Sequence, residues 1–514
     1  MNFGWLTSLA LIPLIGAVIV MLLPKGNAKA IKIVALAVSV VALVVTVAMA
    51  LQFQADSTSV FQFTESYDWI PSFGISYSVG VDGIGLVLIA LSTTLVPIVV
   101  LSGWHDADDS QSGSVKGYFA LILALEALMI MVFAATDVFL FYVVFEVMLI
   151  PIYFMIGRYG GPNRGPAAVK FLLYSLVGGL FMLAAMIGLY VISANELGKG
   201  TFNFEALAGL NIDPNMQKIL FLGFFLAFAI KAPLWPFHTW LPDAAEQSKP
   251  GTAVLLIGVL DKVGTFGMIR YCLPIFPAAS VFYAPIVIAL ALIGVFYGAY
   301  IALSQNNMKR IFAYSSMSHF GFIALGIFVF TSIGQSGSVV YMVAHGLSTA
   351  ALFLTAGYLI SRRGGSANMS DYGGVNKVAP VLAGFFLFAA MSSLALPGLA
   401  SFIGEFLVLL GTFQYLWWVG VIGVLGIVIT AAYVLRVYQR TMTGPVVPSV
   451  ANFVDIKGRE VVALVPILVL TIFLGFYPKP VLNVVNPAVE KTMVWVGASD
   501  PTPAMTPAEG GESK

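Results

Sequence analysis

The 514-residue sequence contains a single cysteine, Cys272, and few charged residues. One cysteine excludes an intrachain disulfide and any zinc or iron–sulfur site held by several cysteines of this chain. The 25 basic and 24 acidic residues leave a net charge of only +1, without the basic excess of a nucleic-acid-binding domain. Walker, GxGxxG and CxxC motifs are absent from any strand–helix context, which argues against ATP, dinucleotide or cluster binding. We therefore predict no cofactor and no metal for this chain.

Apolar residues dominate the sequence instead. They make up 59% of the chain, and the mean hydropathy is +0.95, far more apolar length than a soluble core could use. We predict an all-α, polytopic membrane protein whose partners are lipid and other membrane proteins. Apolar stretches long enough to cross a bilayer predict about fourteen transmembrane helices. They lie at 4–23, 31–52, 81–101, 117–135, 137–157, 167–194, 218–241, 252–273, 281–302, 308–330, 338–360, 380–413, 415–439 and 461–478.

Lysine and arginine are distributed unevenly between the predicted loops. One side of the membrane holds 17 of them, whereas the other side, with the tail, holds 6. By the positive-inside rule, the richer side is cytoplasmic and both termini lie outside the cytoplasm. No basic segment precedes the first span and no small-residue cleavage site follows it, so we expect an uncleaved helix there.

Two predicted spans are interrupted by proline and glycine beside an ionisable residue. The segment KAPLWPFHTWLP begins at Lys231, and LPGLASFIGE ends at Glu405. Proline removes a backbone donor and clashes with the preceding turn, so each helix should break. Prolines are sometimes merely tolerated in membrane helices. Breaks at corresponding positions of two halves are, however, typical of inverted-repeat transporters, whose freed backbone groups bind ions.

These breaks predict two inverted five-helix repeats. The first half covers 117–273, with its broken helix near 231–236, and the second covers 281–440, with its broken helix near 396–400. Further N-terminal transmembrane helices occupy 1–116, and a C-terminal transmembrane helix and tail occupy 441–514.

Ionisable residues fall near the middle of seven predicted spans. A charge at the bilayer centre costs at least about 2.5–3.5 kcal/mol, so such residues normally line a water-filled path and hold a partner. Singly, each could be half of a static ion pair or a satisfied core histidine. Their common depth favours a path for protons, which histidine can bind and release near neutral pH. The residues are Glu126, Glu146, Lys231, Lys262, His319, His345 and Glu405.

Asp261 directly precedes Lys262. On a helix, the two side chains point about 100° apart and do not simply neutralise one another. Asp261 should therefore meet another helix or a backbone group, and structural and functional roles both remain open for it.

Several segments resemble a known family, the antiporter-like subunits of proton-pumping NADH:quinone oxidoreductase, or respiratory complex I. Within it, the chain most resembles the subunit M branch, chain 4 in mitochondrial naming. The resemblance covers roughly 80–450, and the longest segment is the most specific. The segments are FEVMLIPIYFMIGRYGG (145–161), KAPLWPFHTWLPDAAEQSKPGTAVLLIGVLDKVGTFGMIR (231–270), MKRIFAYSSMSHFGFIALG (308–326), HGLSTAALFLTAGYL (345–359) and LALPGLASFIGEF (394–406).

The resemblance implies a role for each buried group. The family's essential carboxylate falls on Glu146, its broken-helix lysine on Lys231 and its central lysine on Lys262. Its relay histidines fall on His319 and His345. The terminal group falls on Glu405, where the sister subunits generally have lysine.

The resemblance also implies a proton-translocating subunit without redox chemistry of its own. The FMN, iron–sulfur clusters and quinone would belong to other parts of the complex, and homologous membrane-arm subunits would be partners. The resemblance places the protein in the inner membrane of a bacterium. A subunit of an Mrp-type Na⁺/H⁺ antiporter, the membrane arm of a proton-pumping hydrogenase, a stand-alone solute carrier and a structural scaffold are the alternatives.

Overall fold

The computed structural model describes residues 4–108 and 113–501. The predicted tail beyond residue 501 lies outside this range. The described chain is mostly helical, as predicted, and it contains one antiparallel pair of strands, β1 (Gln62–Ile70) and β2 (Ile75–Val81). The helices are α1 (Trp5–Leu22), α2 (Ala28–Gln52), α3 (Gly83–Ser102), α4 (Val115–Ala134), α5 (Val138–Val147), α6 (Leu149–Tyr159), α7 (Arg164–Leu197), α8 (Phe204–Ala208), α9 (Pro214–Lys231), α10 (Trp240–Gln247), α11 (Pro250–Leu255), α12 (Lys262–Gly267), α13 (Leu273–Ile275), α14 (Pro277–Ser304), α15 (Met308–Phe328), α16 (Ser332–Arg362), α17 (Val375–Val378), α18 (Pro380–Ser393), α19 (Ala400–Tyr415), α20 (Trp417–Met442), α21 (Arg459–Phe476) and α22 (Lys479–Val496).

Long apolar helices account for most of the predicted spans. Twelve helical segments of the described chain are long and apolar enough to cross a membrane. The interrupted pairs α9 with α10 and α18 with α19 supply two more, in agreement with the roughly fourteen spans expected from apolar length. The two spans predicted to meet at Asp137 are separate helices, since α4 ends at Ala134 and α5 begins at Val138. Asp137 caps α5 by accepting hydrogen bonds from the N–H groups of Phe139 and Leu140.

Both helices that proline interrupts in the sequence are broken in the structure. The first helix, α9, ends at Lys231 and the chain re-enters a helix at Trp240, whose indole N–H donates to the carbonyl of Ile230 at 3.0 Å. Between α18 and α19, Ala395 and Gly398 have positive φ angles of 59° and 92°. These segments leave backbone groups free of regular helical bonds in the middle of the protein.

The segment Pro250–Ile275 forms the buried centre of the bundle. It is fully enclosed by other helices, and its α-helical parts are joined by two π-helical turns, Leu256–Leu260 and Met268–Cys272. Glycine permits the close packing: a Cβ at Gly264 would lie 2.5 Å from the carbonyl oxygen of Phe228 in α9. The broken helix α9 is therefore in direct contact with this central segment.

The strand pair and α22 were not predicted from the sequence. Both lie at the same end of the bundle, where the ammonium of Lys491 in α22 donates to the carbonyl of Ser59, just before β1, at 2.6 Å. The strands are shorter than a membrane span, and α22 is amphipathic, with its buried residues concentrated on one face. A search for long apolar stretches detects neither the strands nor α22.

A buried ion pair joins the central segment to α3. Arg270 donates to the carboxylate of Asp82 at 2.5 Å, and its guanidinium lies 4.8 Å from the ring centre of Phe61 and 5.3 Å from that of Phe266. Both charged side chains are almost completely enclosed. Removal of one partner leaves the other charge buried alone, which typically costs about 3–5 kcal/mol.

We therefore predict that Arg270→Ala lowers the stability of the folded protein by about 3–5 kcal/mol. Thermal unfolding in detergent, with the yield of folded protein from membranes, measures the effect. The matched control is Lys199→Ala, which removes an exposed positive charge and should change neither value. Equal stability of the two variants would contradict a structural role for the Arg270–Asp82 pair.

Candidate functional site

Lys262 and His345 form a buried hydrogen bond at the centre of the protein. The ammonium nitrogen of Lys262 lies 2.7 Å from Nδ1 of His345 and donates to the carbonyl oxygen of Ile257 at 2.6 Å. That carbonyl belongs to the first π-helical turn, in which the N–H of Asp261 bonds to Leu256 rather than to Ile257. The π-helical turn thus supplies a backbone acceptor to a fully buried lysine.

A second hydrogen-bonded series connects His319 to Glu405. The phenol oxygen of Tyr341 lies 2.6 Å from Nδ1 of His319 and donates to a carboxylate oxygen of Glu405 at 2.8 Å. The rings of His319 and His345 are 5.4 Å apart between centres, so the two series meet at the histidine pair. All these side chains are buried.

Polar groups also surround the other nitrogen of His319. Its Nε2 lies 3.2 Å from the hydroxyl of Ser315, which in turn lies 2.6 Å from the phenol oxygen of Tyr433. The hydroxyl of Ser393, the last residue of α18 before the second helix break, is 3.5 Å from the same nitrogen. The broken helix therefore ends at the histidine.

Glu146 and Lys231 lie near each other without a direct ion pair. Their charges interact, while the ammonium of Lys231 lies 4.5 Å from the ring centre of Phe145. Within the described chain, neither the Lys231 ammonium nor Oε1 of Glu146 has a hydrogen-bond partner. The Glu146 carboxylate packs against α7 at Gly179, where a Cβ would come within 1.6 Å of it.

Two further buried acids, Asp261 and Glu126, have no hydrogen-bond partner for either carboxylate oxygen among the described residues. Asp261 interacts electrostatically with both Lys231 and Lys262. Glu126, although it was predicted at the same depth, has no charged neighbour of this kind in the described parts of the chain. It lies apart from the other groups.

A half-buried acid also lies at the lysine-rich end of the bundle, outside the membrane spans. Burial raises the pKa of Asp106, in the loop after α3, and the nearby Lys249 and Lys309 act in the opposite direction. Lys309 donates to the carbonyl of Ser248, two residues before the central segment, at 2.9 Å. Titratable groups are thus gathered where the central segment begins.

The structure places four of the six predicted site residues in two hydrogen-bonded series, and it adds a residue that was not predicted. Lys262, His345, His319 and Glu405 belong to the two series, whereas Glu146 and Lys231 are linked to each other through charge alone. Tyr341 was missed because a tyrosine in an apolar helix resembles an ordinary core residue. Its position one helical turn before His345 was the available signal.

Comparisons with known proteins give a consistent picture. Residues 135–430 match the family described as NADH:quinone oxidoreductase/Mrp antiporter, TM. The chain is 51% identical to NADH-quinone oxidoreductase subunit M of Mycobacterium tuberculosis, over 98% of this chain and 96% of that protein. It also resembles a chain in the structure of respiratory complex I from Thermus thermophilus with bound NADH, with a TM-score of 0.85 and 30% identity over 96% of this chain and 100% of that chain.

A more distant likeness is limited to the fold. A chain of the Mrp complex from Dietzia has a TM-score of 0.81 at 19% identity, and the match covers 96% of the present chain and 55% of the Dietzia chain.

Proposed function

Because the chain belongs to the subunit M (chain 4) family of NADH-quinone oxidoreductase, we propose that its buried ionisable side chains form the path by which it moves protons. The protein is a proton-translocating membrane subunit of respiratory complex I. NADH oxidation and quinone reduction take place in other subunits in this proposal, with the FMN, iron–sulfur clusters and quinone there. Homologous antiporter-like subunits and lipid are the proposed neighbours.

One observation carries the proposal, the near-continuous series of hydrogen bonds from Lys262 to Glu405. Each member can take up and release a proton, and the members come from four helices, α12, α15, α16 and α19. A static core would satisfy such groups in separate pairs. A series with one gap, at the histidine rings, suits stepwise transfer that a small movement or a water molecule can open or close.

The Glu146–Lys231 pair is the proposed switch at the other end. The two groups sense each other's charge but are not bonded, so a change in the protonation of one alters the proton affinity of the other. Moving one charge against 100 mV costs about 2.3 kcal/mol. A change of about two pKa units, worth about 2.7 kcal/mol, is therefore sufficient to drive it.

The proposed direction of transfer runs from this switch through Lys262 and the histidines to Glu405. Lys262 donates to Nδ1 of a neutral His345, and His319 receives the proton across the gap. Tyr341 then gives its own proton to Glu405 and takes another from His319. The phenol needs no net charge at any point of this exchange.

We propose, in addition, that residues 117–273 and 281–440 form two inverted halves, with 1–116 and 441–514 outside them. Each half contains one broken helix in the structure. In the proposed orientation, in the inner membrane of a bacterium, both termini face away from the cytoplasm. The uneven distribution of lysine and arginine supports it.

The first test concerns the switch. Glu146→Gln removes the charge with little change in shape, so quinone-coupled proton pumping should fall to less than about a tenth, within the range typical for loss of a proton-transfer group. The measurement is pumping and quinone reductase rate in membranes with matched complex content. Asp56→Asn, which neutralises an exposed carboxylate, is the control and should pump normally. Normal pumping by Glu146→Gln would remove the basis of the proposed switch.

The second test concerns the far end of the path. Tyr341→Phe removes the hydroxyl between His319 and Glu405 and should slow pumping at least about tenfold. Glu405→Gln should do the same, whereas Glu405→Asp keeps an acid and should retain more activity. Full pumping by both Tyr341→Phe and Glu405→Gln would show that protons leave by another route.

The third test concerns orientation. Thr58→Cys and Lys377→Cys each place a thiol at an exposed site on opposite ends of the bundle, while the native Cys272 is buried and should not react. A membrane-impermeant thiol reagent should label residue 377 only from the cytoplasmic side and residue 58 only from the other side. Reversed labelling would overturn the proposed orientation and the direction of transport.

A further inference from the structure

We propose that Asp261 carries the proton between Lys231 and Lys262, an inference that rests on the proton path proposed above. It would join the switch at the first broken helix to the hydrogen-bonded series that begins at Lys262. The evidence is the helix face on which Asp261 lies and its buried carboxylate, for which the described residues provide no hydrogen-bond partner.

Packing orients Asp261 towards the first helix break. Gly264, one turn further along the same helix, packs against α9 so closely that a Cβ would lie 2.5 Å from the carbonyl of Phe228 and 2.6 Å from the backbone nitrogen of Ala232. Residues three apart share a helix face. Asp261 therefore lies on the face that meets the end of α9, where Lys231 is the residue before Ala232.

Lys262 points in another direction. Its ammonium is held by His345 of α16 and by the carbonyl of Ile257. The adjacent acid and lysine thus serve two different neighbours, α9 and α16, as their separation of about 100° around a helix requires. Among the described residues, Asp261 is the carboxylate that interacts electrostatically with Lys231 and with Lys262 alike.

The Asp261 carboxylate is fully buried, with no hydrogen bond to either oxygen from the described residues. The ammonium of Lys231 is buried and unpaired in the same way. An unsatisfied buried charge is expensive, and a purely structural acid would be expected to have a donor at close range. An acid without a fixed donor has both carboxylate oxygens free to accept a proton.

The proposed transfer has two steps and leaves the total charge unchanged. The Lys231 ammonium gives a proton, through an intervening water molecule, to the Asp261 carboxylate, which leaves a neutral amine and a carboxylic acid. The acid then gives its proton to a neutral Lys262, which becomes an ammonium while Asp261 returns to a carboxylate. One proton moves from lysine to lysine, and the intermediate avoids two ammonium groups competing for one carboxylate.

The decisive variant is Asp261→Asn, which keeps the size of the side chain but cannot accept a proton. Quinone-coupled pumping should fall at least about tenfold at matched complex content, as expected for loss of a proton-transfer group. Asp261→Glu keeps an acid and should restore much of the rate, with a pumping pH profile that differs from that of the unmodified complex. Glu126→Gln is the matched control, because Glu126 is equally buried and unbonded but lies apart from the lysines.

The outcomes separate this inference from the path on which it rests. Normal pumping by Asp261→Asn, with Glu146→Gln inactive, would overturn the role of Asp261 and leave the path intact. Normal pumping by both would overturn the path itself. Equal losses in Asp261→Asn and Glu126→Gln would mean that any buried acid matters for structure, and would contradict the inference. If Asp261→Asn fails to assemble, the pH profile of Asp261→Glu decides: a shifted profile supports proton transfer and an unchanged one contradicts it.

Discussion

A charge in the interior of a bilayer has to receive its partners from the protein itself, because no bulk water is at hand to provide them. This constraint explains most of what is irregular in the structure. Lys262 is the clearest case, since one of its partners is a carbonyl that a regular α-helix would have used for its own backbone bond. The π-helical turn leaves the carbonyl of Ile257 free, and the ammonium of Lys262 donates to it.

The same constraint applies at the two helix breaks. Lys231 is the last residue of α9, and Ser393, which reaches His319, is the last residue of α18. Ionisable and polar groups therefore lie where the backbone leaves its regular pattern, and the long apolar helices around them keep the lipid away.

The sequence predicted the spans and the two breaks because each rests on a strong local signal. Apolar length is set by bilayer thickness, and proline breaks a helix at a position that the sequence shows directly. The π-helical turns around Asp261, the hydroxyl of Tyr341 and the amphipathic α22 depend on packing against distant segments, for which one sequence gives no comparable signal. Glu126 shows where this kind of prediction fails. It was predicted at the same depth as the other ionisable groups, but it has no charged neighbour among the described residues.

The position of Tyr341 between His319 and Glu405 has a consequence for timing. When a hydroxyl hands on its own hydrogen and receives another from behind, its O–H bond ends up facing the donor and no longer the acceptor. The ring oxygen must swing its hydrogen back before a second proton can follow. In the proposed path, the Tyr341 hydroxyl therefore has to reorient once for each proton that it passes on.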